Sequence, residues 1–299
     1  MATMPEAAIP LPVLRARRVD AHKASVGRVL VVGGSTGMAG APALAARGAL
    51  RAGAGLVTLA VPSAIYEVVA SFLPETMTVP LPCDGEGALG VAALPALLPL
   101  MARADVLVVG PGLGRSAPTE AFVHALLARA SGPLVLDADA LHALRGRAET
   151  LTARQGTTVL TPHEGEAAVL LGVDTLDLRA ARAEHAQRLA RLAHAICVLK
   201  GPGTLVTDGT RLRRNETGGP VLAAGGSGDV LAGVLAAFLA GLPDTGDDAF
   251  GAAVLAVHVH GLAGDALAAR RGDRGVLASE IADAIPEAIR ALRAAGGGR

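Results

Sequence analysis

The sequence predicts an α/β protein in which a mostly parallel sheet is covered by helices on both faces. Three observations predict it. Up to Lys200, apolar runs of strand length alternate with longer Ala/Leu/Arg segments, the pattern of repeated βαβ units. Nearly every apolar run ends in a glycine-rich or polar turn, the place where open α/β sheets bind ligands. A hydrophobic content of 51% and a mean hydropathy of +0.46 fit strands buried on both faces. At 299 residues the chain can bury about three quarters of its unfolded surface without disulfides or a structural metal.

Taken in order, strands are expected over residues 28–32, 56–61, 106–109, 134–136, 158–160 and 196–199. Their turns read Gly33-Gly34-Ser35, Gly110-Pro111-Gly112-Leu113-Gly114, Asp137-Ala138-Asp139 and Thr161-Pro162-His163-Glu164, and these turns should share one rim. Past Lys200 the pattern changes to short pieces over 204–207 and 211–214, expected to pair antiparallel, then a glycine loop and helices over 228–239, 247–270 and 277–294. With no Ser-, Pro- or charge-rich linker, one domain over 23–299 is expected behind a lead segment, residues 1–22. The most apolar stretch, 87–102, is too short for a membrane span and holds Pro95 and Pro99.

Charge and composition exclude other classes. Lys+Arg and Asp+Glu balance at 27 each, and one Tyr, four Phe and no Trp leave little to stack on bases, so nucleic-acid binding is disfavoured. Two cysteines, Cys83 and Cys197, and no secretory signal point to a reducing cytoplasm. The loop from Gly33 to Ala41 has no G-x-G-x-x-G spacing and no acidic residue closes the second strand, which disfavours a dehydrogenase. Ser35 and Ser227 have no triad partners, and His258 and His260 read as packing residues in an apolar helix.

Three features could carry chemistry. Gly225-Gly226-Ser227-Gly228-Asp229 runs into an apolar helix, so glycine N–H groups and a helix N-terminus would face an anion, with Asp229 in the first turn. Asp229 could equally be an ordinary helix-start carboxylate. Of 27 basic residues only Lys23 and Lys200 are lysine, which suggests that a compact ammonium is required at both. Finally, Thr161 to Glu166 puts an imidazole and two carboxylates at the rim, as ligand contacts or as a capped helix start, while Asp137 and Asp139 could hold magnesium or form a turn plus an N-cap.

In order along the chain, His22-Lys23, Gly33-Gly34-Ser35 with Gly40-Ala41, Pro74-Glu75-Thr76-Met77, Gly110 to Gly114, Asp137 to Leu141, Thr161 to Glu166, Lys200-Gly201 and Gly225 to Asp229 resemble the ADP/ATP-dependent NAD(P)H-hydrate dehydratases of the ribokinase-like superfamily. The resemblance implies a three-layer α/β/α fold. It also implies that Ala41, Gly112, His163 and Asp229 contact a hydrated nicotinamide cofactor. Lys200, Gly201, Pro202, Gly203 and Thr204, with Gly225, Gly226, Ser227 and Gly228, would contact the nucleotide, and no protein residue is assigned as a metal ligand. The implied reaction is repair of the S-epimer of hydrated NADH or NADPH, with ADP and Mg2+ as co-reactants, AMP and phosphate as products and Asp229 as base. An epimerase is the implied functional partner, and a homo-oligomer, a tetramer, the implied assembly. Where the family reads Asn-Pro-Gly-Met-Ala-Thr, this chain has Gly219-Pro220-Val221-Leu222-Ala223-Ala224, and Met38 replaces an aromatic. The alternatives are an ATP-dependent kinase for a small alcohol, such as hydroxyethylthiazole kinase, and a non-catalytic nucleotide-binding partner.

Overall fold

The computed structural model describes residues 9–242 and 248–296. Strands β1 (Arg28–Val32), β2 (Leu56–Pro62), β3 (Met77–Leu81), β4 (Val106–Val109), β5 (Leu134–Leu136), β6 (Thr158–Leu160), β7 (Ile196–Leu199), β8 (Leu205–Thr207) and β9 (Leu212–Arg214) form one sheet in the order β3-β2-β1-β4-β5-β6-β7-β8-β9. Pairing is parallel from β3 through β7, and β8 and β9 close the edge antiparallel, as expected. Strand β3 is not foreseen by the sequence reading. It is an edge strand with Met77 half exposed and Pro80 inside it, so it lacks a continuous apolar run, and its missing N–H is tolerated only at an edge.

Eleven helices among the described residues cover the sheet: α1 (Gly40–Ala52), α2 (Tyr66–Phe72), α3 (Leu94–Met101), α4 (Ala117–Leu127), α5 (Asp139–Ala143), α6 (Glu164–Leu171), α7 (Thr175–Ala180), α8 (Arg182–Ala193), α9 (Ser227–Ala240), α10 (Ala249–Arg271) and α11 (Ala278–Gly296). Alternate residues of β1 divide the core, because successive strand side chains point to opposite faces. Val29 and Val31 belong to the core on the side of α1, α9, α10 and α11, whereas Leu30 and Val32 belong to the core on the side of α3 to α8. Asp247, expected to open the long helix, lies outside the described residues, as do residues 297–299 of the glycine tail.

Helices α1 and α9 touch backbone to backbone. A Cβ on Gly48 would stand 2.4 Å from the Val230 carbonyl oxygen, and one on Gly233 would stand 1.8 Å from that of Ala45. Helix α10, rather than residues 87–102, is the segment long and apolar enough to cross a bilayer; 67% of its most apolar window is buried inside the fold. The lead segment is partly built in as well. Leu14 is buried, Ile9 and Leu11 pack on the same core, and Arg213, Arg293 and Arg17 donate to Ile9 O, Arg15 O and Gly53 O.

Candidate active site

The strand-end turns form one connected rim. Gly34 N donates to Pro111 O at 2.8 Å, Gly114 N to Asp139 Oδ2 at 2.9 Å, Thr161 Oγ1 to Asp137 Oδ1 at 2.6 Å, and Lys200 N to Pro162 O at 2.8 Å. Glycine is required where this rim is tightest. A Cβ on Gly110, at φ +133°, would fall 1.7 Å from the Asp137 carbonyl oxygen. Gly112, at φ +68°, brings its backbone against Met38, and a Cβ there would also lie 3.1 Å from that of Ala41, so these two expected cofactor contacts are neighbours.

The glycine loop runs into the N-terminus of α9. Gly226, in the left-handed region at φ +88°, is the N-cap of α9, and Asp229 sits in its first turn. Among the described residues no acceptor meets the N–H groups of Gly225, Gly226, Gly228 or Asp229, while those of Ser227 and Val230 are taken by Ala224 O and Gly226 O. Four unclaimed donors thus lie at or just before the positive end of a 14-residue helix, where an anion is favoured. Ser227 offers this loop no free donor of its own: its N–H is taken by Ala224 O, and its hydroxyl is buried, 3.4 Å from His260 Nε2. Burial lowers the His260 imidazole to about 4, so that ring is neutral near pH 7.

Lys200 stands across from this loop. Its Nζ donates to Asp137 Oδ1 at 2.9 Å and lies 3.3 Å from where a Gly228 Cβ would be. Burial works against the ammonium charge, but Asp137, Glu166 and Asp229 outweigh it and raise its pKa. Lys23, by contrast, is exposed. Burial lifts Asp229 to about 7, with Asp137 and Asp139 raising it and Lys200 opposing; no hydrogen bond holds its carboxylate among the described residues. Burial also raises Glu166 above the usual carboxylate range, against the pull of Lys200 and His163.

His163 is the N-cap of α6: its Nδ1 accepts from Glu166 N at 3.1 Å, and Glu166 Oε2 accepts from His163 N at 2.8 Å. The capped helix start is therefore real, and the ring, 60% exposed, still fronts a cavity of about 130 Å³ lined by Arg115, Leu141, His142, Glu166 and Val169. Asp139 is no N-cap. It is the first residue of α5 and accepts instead from Gly114 N and from Arg115 Nε at 2.7 Å, and Asp137 is taken by Lys200 and Thr161. Between them Ala138 is held at φ 49°, ψ −116°, a strained conformation for a residue with a Cβ.

The turn after β7 bends through Gly201, at φ +140°, and Gly203, at φ +61°, and closes with Thr204 Oγ1 donating to Gly201 O at 3.1 Å. Arg182 Nη1 donates to Pro202 O at 2.6 Å. The structure thus gathers Lys200, Gly228 and Asp229 with Asp137, and Ala41 with Gly112. Arg182 and the contact of His260 with Ser227 were not singled out from sequence, because no spacing ties them to a motif.

The chain is similar to known proteins. A family model described as NAD(P)H-hydrate dehydratase matches residues 29–287. The bifunctional NAD(P)H-hydrate repair enzyme Nnr of Moorella thermoacetica is 45% identical over 278 residues, covering 92% of this chain and 52% of that protein. The Nnr of Salinibacter ruber is 42% identical over 274 residues, covering 91% of this chain and 49% of that one. The chain thus spans about half the length of these curated relatives. A crystal structure of the ADP/ATP-dependent NAD(P)H-hydrate dehydratase from Bacillus subtilis, co-crystallized with ATP and Mg2+, superposes with a TM-score of 0.79 at 28% identity, covering 94% of this chain and 95% of that one. With the model match running from β1 into α11 through every turn of the rim, the chain belongs to the NAD(P)H-hydrate dehydratase family.

Proposed function

We propose that this protein returns hydrated NADH or NADPH, in the S configuration, to the reduced cofactor at the expense of a nucleoside diphosphate. One observation carries the reading. Asp229, raised to about 7 and without a hydrogen-bond partner among the described residues, stands in the first turn of a helix where the N–H groups of Gly228 and Asp229 are unclaimed, with the Lys200 ammonium opposite Gly228. A carboxylate poised near neutrality can take the proton of the substrate hydroxyl as that oxygen attacks the terminal phosphorus. Hydroxide leaves poorly and phosphate leaves well. Once the oxygen carries the phosphoryl group, the carbon–oxygen bond breaks, an adjacent ring carbon loses a proton and the ring double bond returns. The products are AMP, phosphate and NADH or NADPH.

Residues 225–228 would cradle the moving phosphoryl group, Lys200 to Thr204 the nucleotide, and Ala41, Gly112 and His163 the cofactor. Three carboxylates, Asp137, Glu166 and Asp229, face one ammonium, so a diphosphate adds negative charge to a site already rich in it. Among the described residues no three His, Cys, Asp or Glu side chains converge on a metal site. The residues present would suit a magnesium ion carried in on the phosphates and steadied by a carboxylate such as Glu166, leaving Asp229 free to act as base; when bound, the ion would supply charge neutralisation. Residues 23–299 would act as one domain, cytoplasmic and homo-oligomeric, alongside an epimerase that supplies the S form.

The test mixes purified protein with hydrated NADH, Mg2+ and either ADP or ATP and follows absorbance of reduced nicotinamide. Return of absorbance with ADP, accompanied by AMP and phosphate, is expected. A stable phosphate ester formed from hydroxyethylthiazole and ATP, without hydrate repair, would hand the site to the small-alcohol kinase reading.

A further inference from the structure

We infer that Arg182 is a positioning residue for the nucleotide turn, its guanidinium clamped by Glu164 and holding the backbone of Gly201 and Pro202 in the shape the nucleotide meets. The inference rests on reading residues 200–204 as that turn. Arg182 opens α8 and keeps only 20% of its side chain exposed. Burying a guanidinium is costly unless each donor finds a use. One does so plainly: Nη1 donates to Pro202 O at 2.6 Å. Nε lies 3.1 Å from Glu164 Oε1, at ion-pair distance but without hydrogen-bond alignment, and Nη2 is buried with no acceptor among the described residues.

The buried, unpartnered Nη2 has a steric role. It sits 2.8 Å from where a Cβ on Gly201 would be, so the guanidinium fills the side-chain space of a glycine whose φ of +140° few other residues adopt. Glu164 Oε1 comes within 3.5 Å of that same point. Glu164 is itself held from the far side, where Arg179 Nε donates to Oε2 at 2.7 Å. The turn is therefore braced from below by Arg182 and closed from within by Thr204 on the Gly201 carbonyl. A lysine could not do this, since one ammonium cannot lie flat under Gly201 while also meeting Pro202 O and Glu164. Arg182 acts through the turn, by its hydrogen bond to Pro202 O and its packing under Gly201. Because Glu164 follows His163 at the start of α6, the same brace ties the nucleotide turn to the cofactor side of the rim.

A merely structural ion pair between α6 and α8 would change melting temperature and leave nucleotide affinity alone. Titration calorimetry with ADP on the full chain, beside melting temperature and steady-state kinetics, compares the parent with Arg182→Gln, Arg182→Lys, Glu164→Gln and Lys200→Arg. Arg182→Gln and Arg182→Lys should each weaken ADP binding about tenfold while kcat at saturating ADP stays within about twofold, and Glu164→Gln should weaken it about threefold. If Arg182→Gln does not fold, Arg182→Lys and Glu164→Gln carry the measurement. ADP affinity of the Arg182 variants within about twofold of the parent, with Lys200→Arg clearly weakened, overturns the role of Arg182 and leaves the nucleotide turn standing. Unchanged affinity in Lys200→Arg as well removes the nucleotide turn and the inference together.

Discussion

A carboxylate raised to about 7 makes opposite demands on stability and on catalysis, and Asp229 shows both. Its folded-state pKa lies above the unfolded value of 3.8, so the native state holds the extra proton between those limits and stability falls as pH rises through that window. Asp229→Asn removes the buried charge. At pH 8 the variant should melt at or above the parent, with the difference shrinking towards pH 4, while turnover falls by about 10²- to 10⁴-fold. In the parent, kcat/KM should climb with pH up to about 7 and then flatten, because the base must be ionised. A variant that melts lower at pH 8 and turns over within a few-fold of the parent would return Asp229 to the ordinary helix-start role. The position of Asp229 was legible from Gly-Ser-Gly-Asp before an apolar run. Its pKa was not, because it depends on Asp137, Asp139 and Lys200, brought together only by the sheet.

Elements with uniform burial were the readable ones. Strands β4 and β7, buried at every position, announce themselves as unbroken apolar runs, whereas β3 with Pro80 and a half-exposed Met77 does not. The rim followed from the turns, but the partners within it did not. Asp139 looked like an N-cap and instead accepts from Gly114 N, a contact between residues 25 apart. Helix contacts are less visible still, since nothing in a Gly at position 48 or 233 marks it as a crossing point. The Cβ of Gly233→Ala would fall 1.8 Å from Ala45 O, a collision with backbone that only separation of α1 and α9 relieves. That variant should lose about 1–3 kcal/mol in urea unfolding and lose turnover too, because α9 carries Asp229. Unfolding energy and turnover both matching the parent would show that the crossing has slack.

For the whole molecule, the candidate site and the packing of the lead segment lie at opposite ends of α9. Leu14, buried among residues near the C-terminal ends of α1 and α9, is far along both helices from the glycine loop. Leu14→Ala should cost about 2 kcal/mol or more of stability, measured by denaturant, with the repair rate at saturating substrates unchanged. A fall in rate in proportion to stability would mean that strain travels the length of α9. The lead segment gave no such signal in sequence, where Ile9, Leu11 and Leu14 are isolated apolar residues among Pro and Arg. The contact of α1 with α9 has one further consequence. Helix α1 begins at Gly40 and Ala41, beside Gly112, and α9 begins at the glycine loop. With glycine backbone against carbonyl at both crossings, neither helix can slide on the other without a clash, so the span between these two ends of the candidate site behaves as a fixed gauge. Its length is set by two methyl groups the chain does not have.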